Sequence, residues 1–241
     1  MPHIDAHVPA RPGDPAPSSP APSSPAPSSP GPSSPGPSSP GPSSPGPSSP
    51  GPSSPGPRGH GLRLRSWDPG SDTDAEAWLR GHTDPEFRRW NTPLRPVRDI
   101  DGAMESLRAR AESVAKGTSV AYCVTDEDSG AVLGHIGLNE IEPVVRCGRV
   151  GYWVLPEARG RGVATRALAL AARWAFTDLE LHRLELGHAL GHEVSCKVAE
   201  RCGFRYEGTL RGAMFEAERH DAFRDVHLHA RLATDPEPVL G

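Results

Sequence analysis

Apolar and polar residues alternate over residues 61–67 (GLRLRSW), the period of a half-buried strand, and Asp72 or Asp74 stands where a helix over residues 75–82 needs its N-cap. Asp84-Pro85 opens a further short helix through Trp90. After Arg98, Ile100, Met104, Leu107, Ala111 and Val114 recur at steps of four and three, which predicts a longer helix that Gly117 ends. Residues 119–125 and 131–141 are strand-like runs joined by the turn sequence DEDSG. Another strand is predicted over 148–155. It leads through the loop 156–162 into an apolar helix over 163–177, with Leu168, Ala171, Trp174 and Ala175 on one side. A strand over 182–189, a helix over 193–202 closed by Gly203, and strands over 204–210 and 223–232 complete the pattern. The order predicts a mixed α/β domain built around one strand-loop-helix unit and flanked by hairpins.

None of this patterning extends upstream of residue 58. From Pro15 the unit P-[A/G]-P-S-S repeats eight times, three times with Ala and five with Gly, and nothing in it can build a core. Prolines fix φ and remove donors, so residues 1–57 are expected to form a disordered spacer, the repeat reaching on the order of 130 Å at full polyproline II extension. Its P-S-S-P steps carry the PxxP spacing that aromatic-grooved domains take up, which makes a tail-binding partner conceivable, but compositional repeats of this kind are more often spacers. The folded domain is expected over 58–241, within the size range of a single domain. The chain's formal net charge of -4 points away from nucleic acid. Four cysteines without CxxC spacing give no disulfide framework, and no apolar run approaches the ~20 residues that span a bilayer. The opening MPHIDAHVPARPGDP lacks the basic and apolar segments of a secretory leader, so a cytoplasmic protein away from membranes is expected, as a monomer or homodimer.

Arg159-Gly160-Arg161-Gly162-Val163-Ala164-Thr165 lies between a predicted strand and the helix it opens. A helix N-terminus presents unpaired N–H groups and the positive end of a dipole, and glycines let an anion approach without a Cβ in the way. Arg159 and Arg161 would add positive charge beside it. The segment is neither a Walker loop nor a GxGxxG fingerprint. It resembles the coenzyme A pyrophosphate loop of the GNAT superfamily, R/Q-x-x-G-x-G/A, with Arg159, Gly162 and Ala164 at the defining positions. The resemblance runs through nearly all of residues 61–232 and is strongest to the RimJ/RimL-like branch, the ribosomal-protein N-terminal acetyltransferases. LRLRSW, DAEAW and DPEFRRW resemble that branch's opening, VLGHIGLNEI its third strand, GYWVLPEARGRGVATRAL its central motif, and RCGFRYEGTLRG with FRDVHLHARL its end.

The resemblance implies a mostly antiparallel α/β sheet with splayed central strands flanked by helices. It implies an enzyme that passes an acetyl group from acetyl-CoA directly to a primary amine, whether a protein N-terminal α-amine or a small molecule; the alternative is a GNAT-fold module that holds acyl-CoA without turnover. Acetyl-CoA is then expected at Arg159, Gly160, Arg161, Gly162, Val163, Ala164 and Thr165, and at main-chain groups near Trp153, Val154 and Leu155. The family's N-x-x-S motif is here His192-Glu193-Val194-Ser195, which puts His192 in the place of a coenzyme-binding Asn. The family's late tyrosine is Ala199, leaving Ser195 as the candidate that protonates the departing thiolate. Glu140 is the candidate base, acting through water, with Glu142 and Glu185 behind it. A weak base suits an α-amine, with a pKa of ~7.7 to 8.0, better than a lysine at ~10.4. The acceptor pocket is expected in variable loops over 84–98 and 212–220. No metal is expected: His227 and His229 share one face of a strand, but no cysteine or carboxylate triad completes a site, and His188 precedes the helix that His192 opens. Cys196 and Cys202, six apart on one helix, share neither a face nor a site.

Overall fold

The alternation at the start of the domain becomes a strand whose Leu62 and Leu64 are enclosed while Arg63, between them, is exposed. In the computed structural model, which describes residues 56–240, the elements run β1 (Arg58–Gly59), β2 (Leu62–Ser66), α1 (Asp72–Thr83), α2 (Pro85–Trp90), α3 (Ile100–Ala115), β3 (Val120–Asp126), β4 (Val132–Glu142), β5 (Cys147–Val154), α4 (Val163–Thr177), β6 (Arg183–Ala189), α5 (Glu193–Arg201), β7 (Arg205–Glu216) and β8 (Arg219–Leu232). The spacer expected over residues 1–57 lies, apart from Gly56 and Pro57, outside the described residues. Among the described residues no helix is long and apolar enough to cross a membrane.

Two local readings are corrected. The N-cap of α1 is Ser71, whose side chain accepts from Asp74 N at 3.3 Å. Asp74 is turned inward, where it receives both Arg65 Nη atoms at 2.6 and 2.7 Å and the Asp68 N–H at 2.8 Å. The stretch 212–220, expected as a loop, is the end of the β7–β8 hairpin. Met214↔Arg224 and Phe215↔Phe223 continue the ladder past a bulge after Leu210.

The eight strands form one sheet in the order β1-β2-β3-β4-β5-β6-β8-β7, and every pair of neighbours is antiparallel except β5 and β6. Helices α4 and α5 cover one face, burying Ile136, Leu138, Leu184 and Leu186 against Leu168 and the alanine-rich side of α4. On the other face α1 and α3 close over an aromatic cluster. Trp67 lies 5.1 Å from Trp78 and 6.1 Å from Trp153, with Trp78 and Trp153 5.8 Å apart, mostly edge to face. Trp153 fixes the end of β5, and the helix above it leaves no spare room: a Cβ at Gly81 of α1 would sit 2.5 Å from the Trp153 ring.

Alanine normally outdoes glycine in a helix interior by about 1 kcal/mol. At Gly81 the sign reverses, because the buried indole cannot withdraw. Gly81→Ala is expected to lower stability by about 1–3 kcal/mol, read as a lower denaturant midpoint; an unchanged or raised midpoint would show that α1 can lift off Trp153 without cost.

Candidate active site at the parting of two strands

Strands β5 and β6 pair in parallel from Cys147↔Arg183 to Val150↔Leu186 and then separate. Each continues with its other neighbour, β5 with β4 to Gly134↔Val154 and β6 with β8 to Ala189↔Val226. Gly134 permits the close approach on the β4 side, since a Cβ there would lie 2.3 Å from Trp153 O. The gap is the splay that the sequence resemblance implied. Leu155 does not serve it as expected: its N–H donates to Leu133 O at 2.9 Å and its carbonyl accepts from Ala158 N at 2.9 Å. Main-chain groups alternate sides along a strand, so Trp153 and Leu155 face β4, and Tyr152 and Val154 face the gap.

Beyond β5, a 3₁₀ turn at Pro156–Ala158 leads into the glycine loop. Gly160 and Gly162 have φ of +73° and +70°, with open space where a Cβ would be, so it is backbone conformation that requires glycine here. Gly162 caps α4 with no side-chain cap and no acidic residue in the first turn. The first intrahelical bond runs from Arg166 N to Gly162 O at 3.0 Å, leaving the N–H groups of Val163, Ala164 and Thr165 without an intrahelical partner. Arg161 is exposed beside them. Arg159 has a different task from the one its position suggested. Its Nη2 pairs with the buried Asp84 and its Nε donates to Val154 O at 3.1 Å, bracing the loop against the N-cap of α2.

Across the gap, Ser195 is buried in the first turn of α5, and its Oγ accepts from Tyr152 Oη at 3.1 Å. Burial pushes the Tyr152 phenol up to about 12, against the opposing effect of that hydrogen bond, so it stays protonated and donates. Sequence reading missed Tyr152, because an aromatic in an apolar strand gives the same signal whether it packs or donates. His192 stacks on Trp90 at 4.4 Å and 6°. Burial, then the neighbouring His188, lowers its imidazole to about 4, and it is neutral at physiological pH. Through Asp84 and Trp90, α2 therefore touches both lips of the gap.

The candidate base is not brought to this place. Glu140 sits at φ +51° in a bulge of β4, exposed and paired with Arg149 at 2.8 Å. Arg149 stands at the closed end of the gap, roughly 10 Å along β5 from Tyr152 at about 3.3 Å per residue. Glu142 accepts from Val144 N at 3.2 Å, and Glu185 from Arg183 Nε at 2.9 Å. A cavity of about 300 Å³ between Thr83, Pro85, Arg88 and Arg89 of the α2 region and Ala217 and Glu218 of the hairpin tip combines parts of both expected acceptor segments. A larger one, of about 1130 Å³, lies near Leu107, Tyr122 and Trp174, among neither the glycine loop nor Ser195.

Tertiary structure corrects one premise of the sequence reading: a cysteine does join the histidines. The β6–β8 register sets His188 opposite His227 and Leu186 opposite His229. Helix α5 then lowers Cys196 onto all three, with Sγ 3.3 Å from His188 Nε2, 3.5 Å from His227 Nδ1 and 3.6 Å from His229 Nε2. Burial holds the His188 and His229 imidazoles below the ordinary value and the Cys196 thiol above it.

The family model for the acetyltransferase (GNAT) domain matches residues 62–205. The chain is similar to YdaF of Bacillus subtilis, 36% identical over 91 residues that make up 38% of this chain and 50% of that protein. It is similar to the ribosomal-protein-serine acetyltransferase of Escherichia coli, 32% identical over 117 residues, 48% of this chain and 63% of that one. The chain thus spans between half and two thirds of these curated relatives' own lengths. Its fold is similar to that of RimL, the ribosomal L7/L12 alpha-N-protein acetyltransferase, solved with coenzyme A, at a TM-score of 0.65 and 20% identity, covering 72% of this chain and 95% of that one. With the glycine loop, the parted strands and a family match over more than half of its length, the chain belongs to the acetyltransferase (GNAT) domain family.

Proposed function

We propose that this protein transfers the acetyl group of acetyl-CoA to a primary amine by direct attack on the thioester, with the α-amine of a polypeptide as the favoured acceptor. The observation that carries the reading is the uncapped first turn of α4, entered through Gly162 at φ +70°, opening beside the gap in which Ser195 and Tyr152 meet. The N–H groups of Val163, Ala164 and Thr165 supply donors and the helix dipole supplies positive potential for the coenzyme's pyrophosphate, with Arg161 alongside. The pantetheine arm then lies along β5, taking the place of the missing β6 partner at Tyr152 and at the Val154 N–H, the Val154 carbonyl being held by Arg159.

The chemistry asks little of charged groups. A neutral amine attacks the thioester carbonyl, the C–S bond breaks, and the thiolate takes a proton. Ser195 Oγ accepts from Tyr152, so its own hydrogen is free to turn to the sulfur. The amine's surplus proton leaves to water. Among the described residues the side-chain partner of Ser195 Oγ is Tyr152 rather than a carboxylate, which favours an acceptor already partly neutral: at pH 7.5 about a third of an α-amine is unprotonated, against roughly 0.1% of a lysine. The bacterial relatives reported above are named for ribosomal proteins, which agrees with an N-terminal acceptor.

The test is thiol release from acetyl-CoA with peptides bearing free N-termini, the same peptides blocked and carrying an internal lysine, and spermidine. Turnover is expected with the free N-termini. Coenzyme binding without turnover on any amine would sink the proposal, and a preference for spermidine or lysine would sink its acceptor. Ser195→Ala is expected to lower kcat about 10- to 100-fold with the KM for acetyl-CoA within about threefold, and Tyr152→Phe to lower kcat less. Equal loss in kcat and coenzyme affinity would make both residues structural. Gly162→Val, which cannot hold its φ without strain, should weaken acetyl-CoA binding at least about 10-fold by calorimetry.

A further inference from the structure

One residue beyond Ser195, a thiol and three imidazoles converge between α5 and the β6–β8 pair, and the acetyl transfer proposed above uses none of them. Ordinary hydrogen bonding accounts for the arrangement only weakly, because a thiol is a poor donor and a poor acceptor. Cys196 has one proton, yet three ring nitrogens stand within 3.3–3.6 Å of its sulfur. His188 Nδ1 lies 3.1 Å from the Ala189 carbonyl, so it carries the ring's hydrogen and directs the bare lone pair of Nε2 at the sulfur. The other two imidazoles could then meet the sulfur only as donors to a weak acceptor, a small return for three rings and a thiol drawn to one point.

A shared cation does account for it. A tetrahedral zinc with Zn–S of about 2.3 Å and Zn–N of about 2.05 Å places its S···N edges at about 3.6 Å. The three observed edges are 3.3, 3.5 and 3.6 Å. All four donor atoms lie within 4.8 Å of one another, so closing the N···N edges to the about 3.4 Å of the same figure takes small imidazole rotations. One thiolate with three imidazoles is a donor set suited to zinc rather than to magnesium or calcium, which take oxygen ligands.

We propose that His188, Cys196, His227 and His229 form a zinc site that pins the first turn of α5 to β6 and β8. His188 and His229 are 6% and 0% exposed, which closes the inner side, while the half-buried Cys196 and His227 leave a path for the ion to enter. Four protein ligands leave no position for substrate, so the ion is structural. Its consequence is positional: the helix that carries Ser195 is fastened by the next residue in the chain.

The experiment uses the full chain, and its readouts do not depend on acetyl transfer. Metal content is measured by mass spectrometry after dialysis, and the chelated protein is titrated with cobalt(II) and zinc(II). About one zinc per chain is expected, with one equivalent of cobalt giving a thiolate-to-metal charge-transfer band and the strong visible bands of a tetrahedral ion. Saturating zinc should raise the Tm of the chelated protein by about 5–10 °C. Cys196→Ser and His227→Asn should each weaken cobalt binding at least about 100-fold, whereas Cys147→Ser, on the distant end of β5, should leave it unchanged. Substoichiometric metal with no zinc-dependent Tm shift, a cobalt spectrum without the charge-transfer band, or full binding by Cys196→Ser would each overturn the site. Should the variants fail to fold, the wild-type spectrum and Tm shift decide alone.

Discussion

The parting of β5 from β6 is the constraint on which the rest of this domain depends. After Val150↔Leu186 the two strands no longer bond to each other, and each keeps only its outer neighbour. A parted pair in mid-sheet leaves main-chain donors and acceptors facing a gap, and such groups are costly unless water or a ligand satisfies them. The gap is held open from both sides. On one face Trp153 is locked into the cluster with Trp67 and Trp78 under α1; on the other, α5 rests on β6 and β8 through Val198, Ala199 and the Cys196 cluster. Neither strand can drift toward the other without disturbing a packed core.

Helix α2, only six residues long, ties the two lips together by contacts of different kinds. Arg159 reaches back from the glycine loop to Asp84, which also caps α2 through Phe87 N at 2.9 Å. At its other end Trp90 stacks on His192, with the Arg89 guanidinium 4.8 Å from the same ring. Thr92, just beyond, donates to Glu216 O at 2.8 Å and so fixes the hairpin tip beside α2. The mouth of the gap is thereby built from segments far apart in the chain, oriented by an ion pair, an aromatic stack, a cation–π contact and a hydrogen bond. The inner groups, Ser195, Tyr152 and His192, are uncharged at neutral pH, and the positive charges stand around them, Arg161 at the glycine loop and Arg89 and Arg224 over the Trp90 ring. That division suits a reaction in which a neutral amine attacks and a thiolate must be met by a hydroxyl.

Much of this was legible in the chain because it is local. The limits of α4 follow from Gly162 and an apolar face, and α2 from Asp84-Pro85, since caps, proline and period act over a few residues. The glycine loop was legible for the same reason: a left-handed cap opening a helix is a short-range object with a short-range signature. What was misread depended on partners distant in sequence. Asp74 looked like a cap until Arg65 claimed it, and residues 212–220 looked like a loop because the cross-strand pairing that makes them a hairpin leaves only a weak alternation. Arg159 looked like a phosphate ligand because the sequence does not show that Asp84, 75 residues earlier, would be waiting for it.

The sequence by itself determined most of the elements, their order and the glycine turn that opens α4, since each rests on backbone conformation and periodicity within a dozen residues. Only tertiary structure decided which side chains meet. It set Tyr152 against Ser195 and left Glu140 with Arg149, away from the gap. It also brought Cys196 onto three histidines that the linear chain keeps up to 33 residues away. The physical reason is that strand register and helix docking are fixed by the burial of Leu184, Leu186 and Val198, residues that take no part in the chemistry they align.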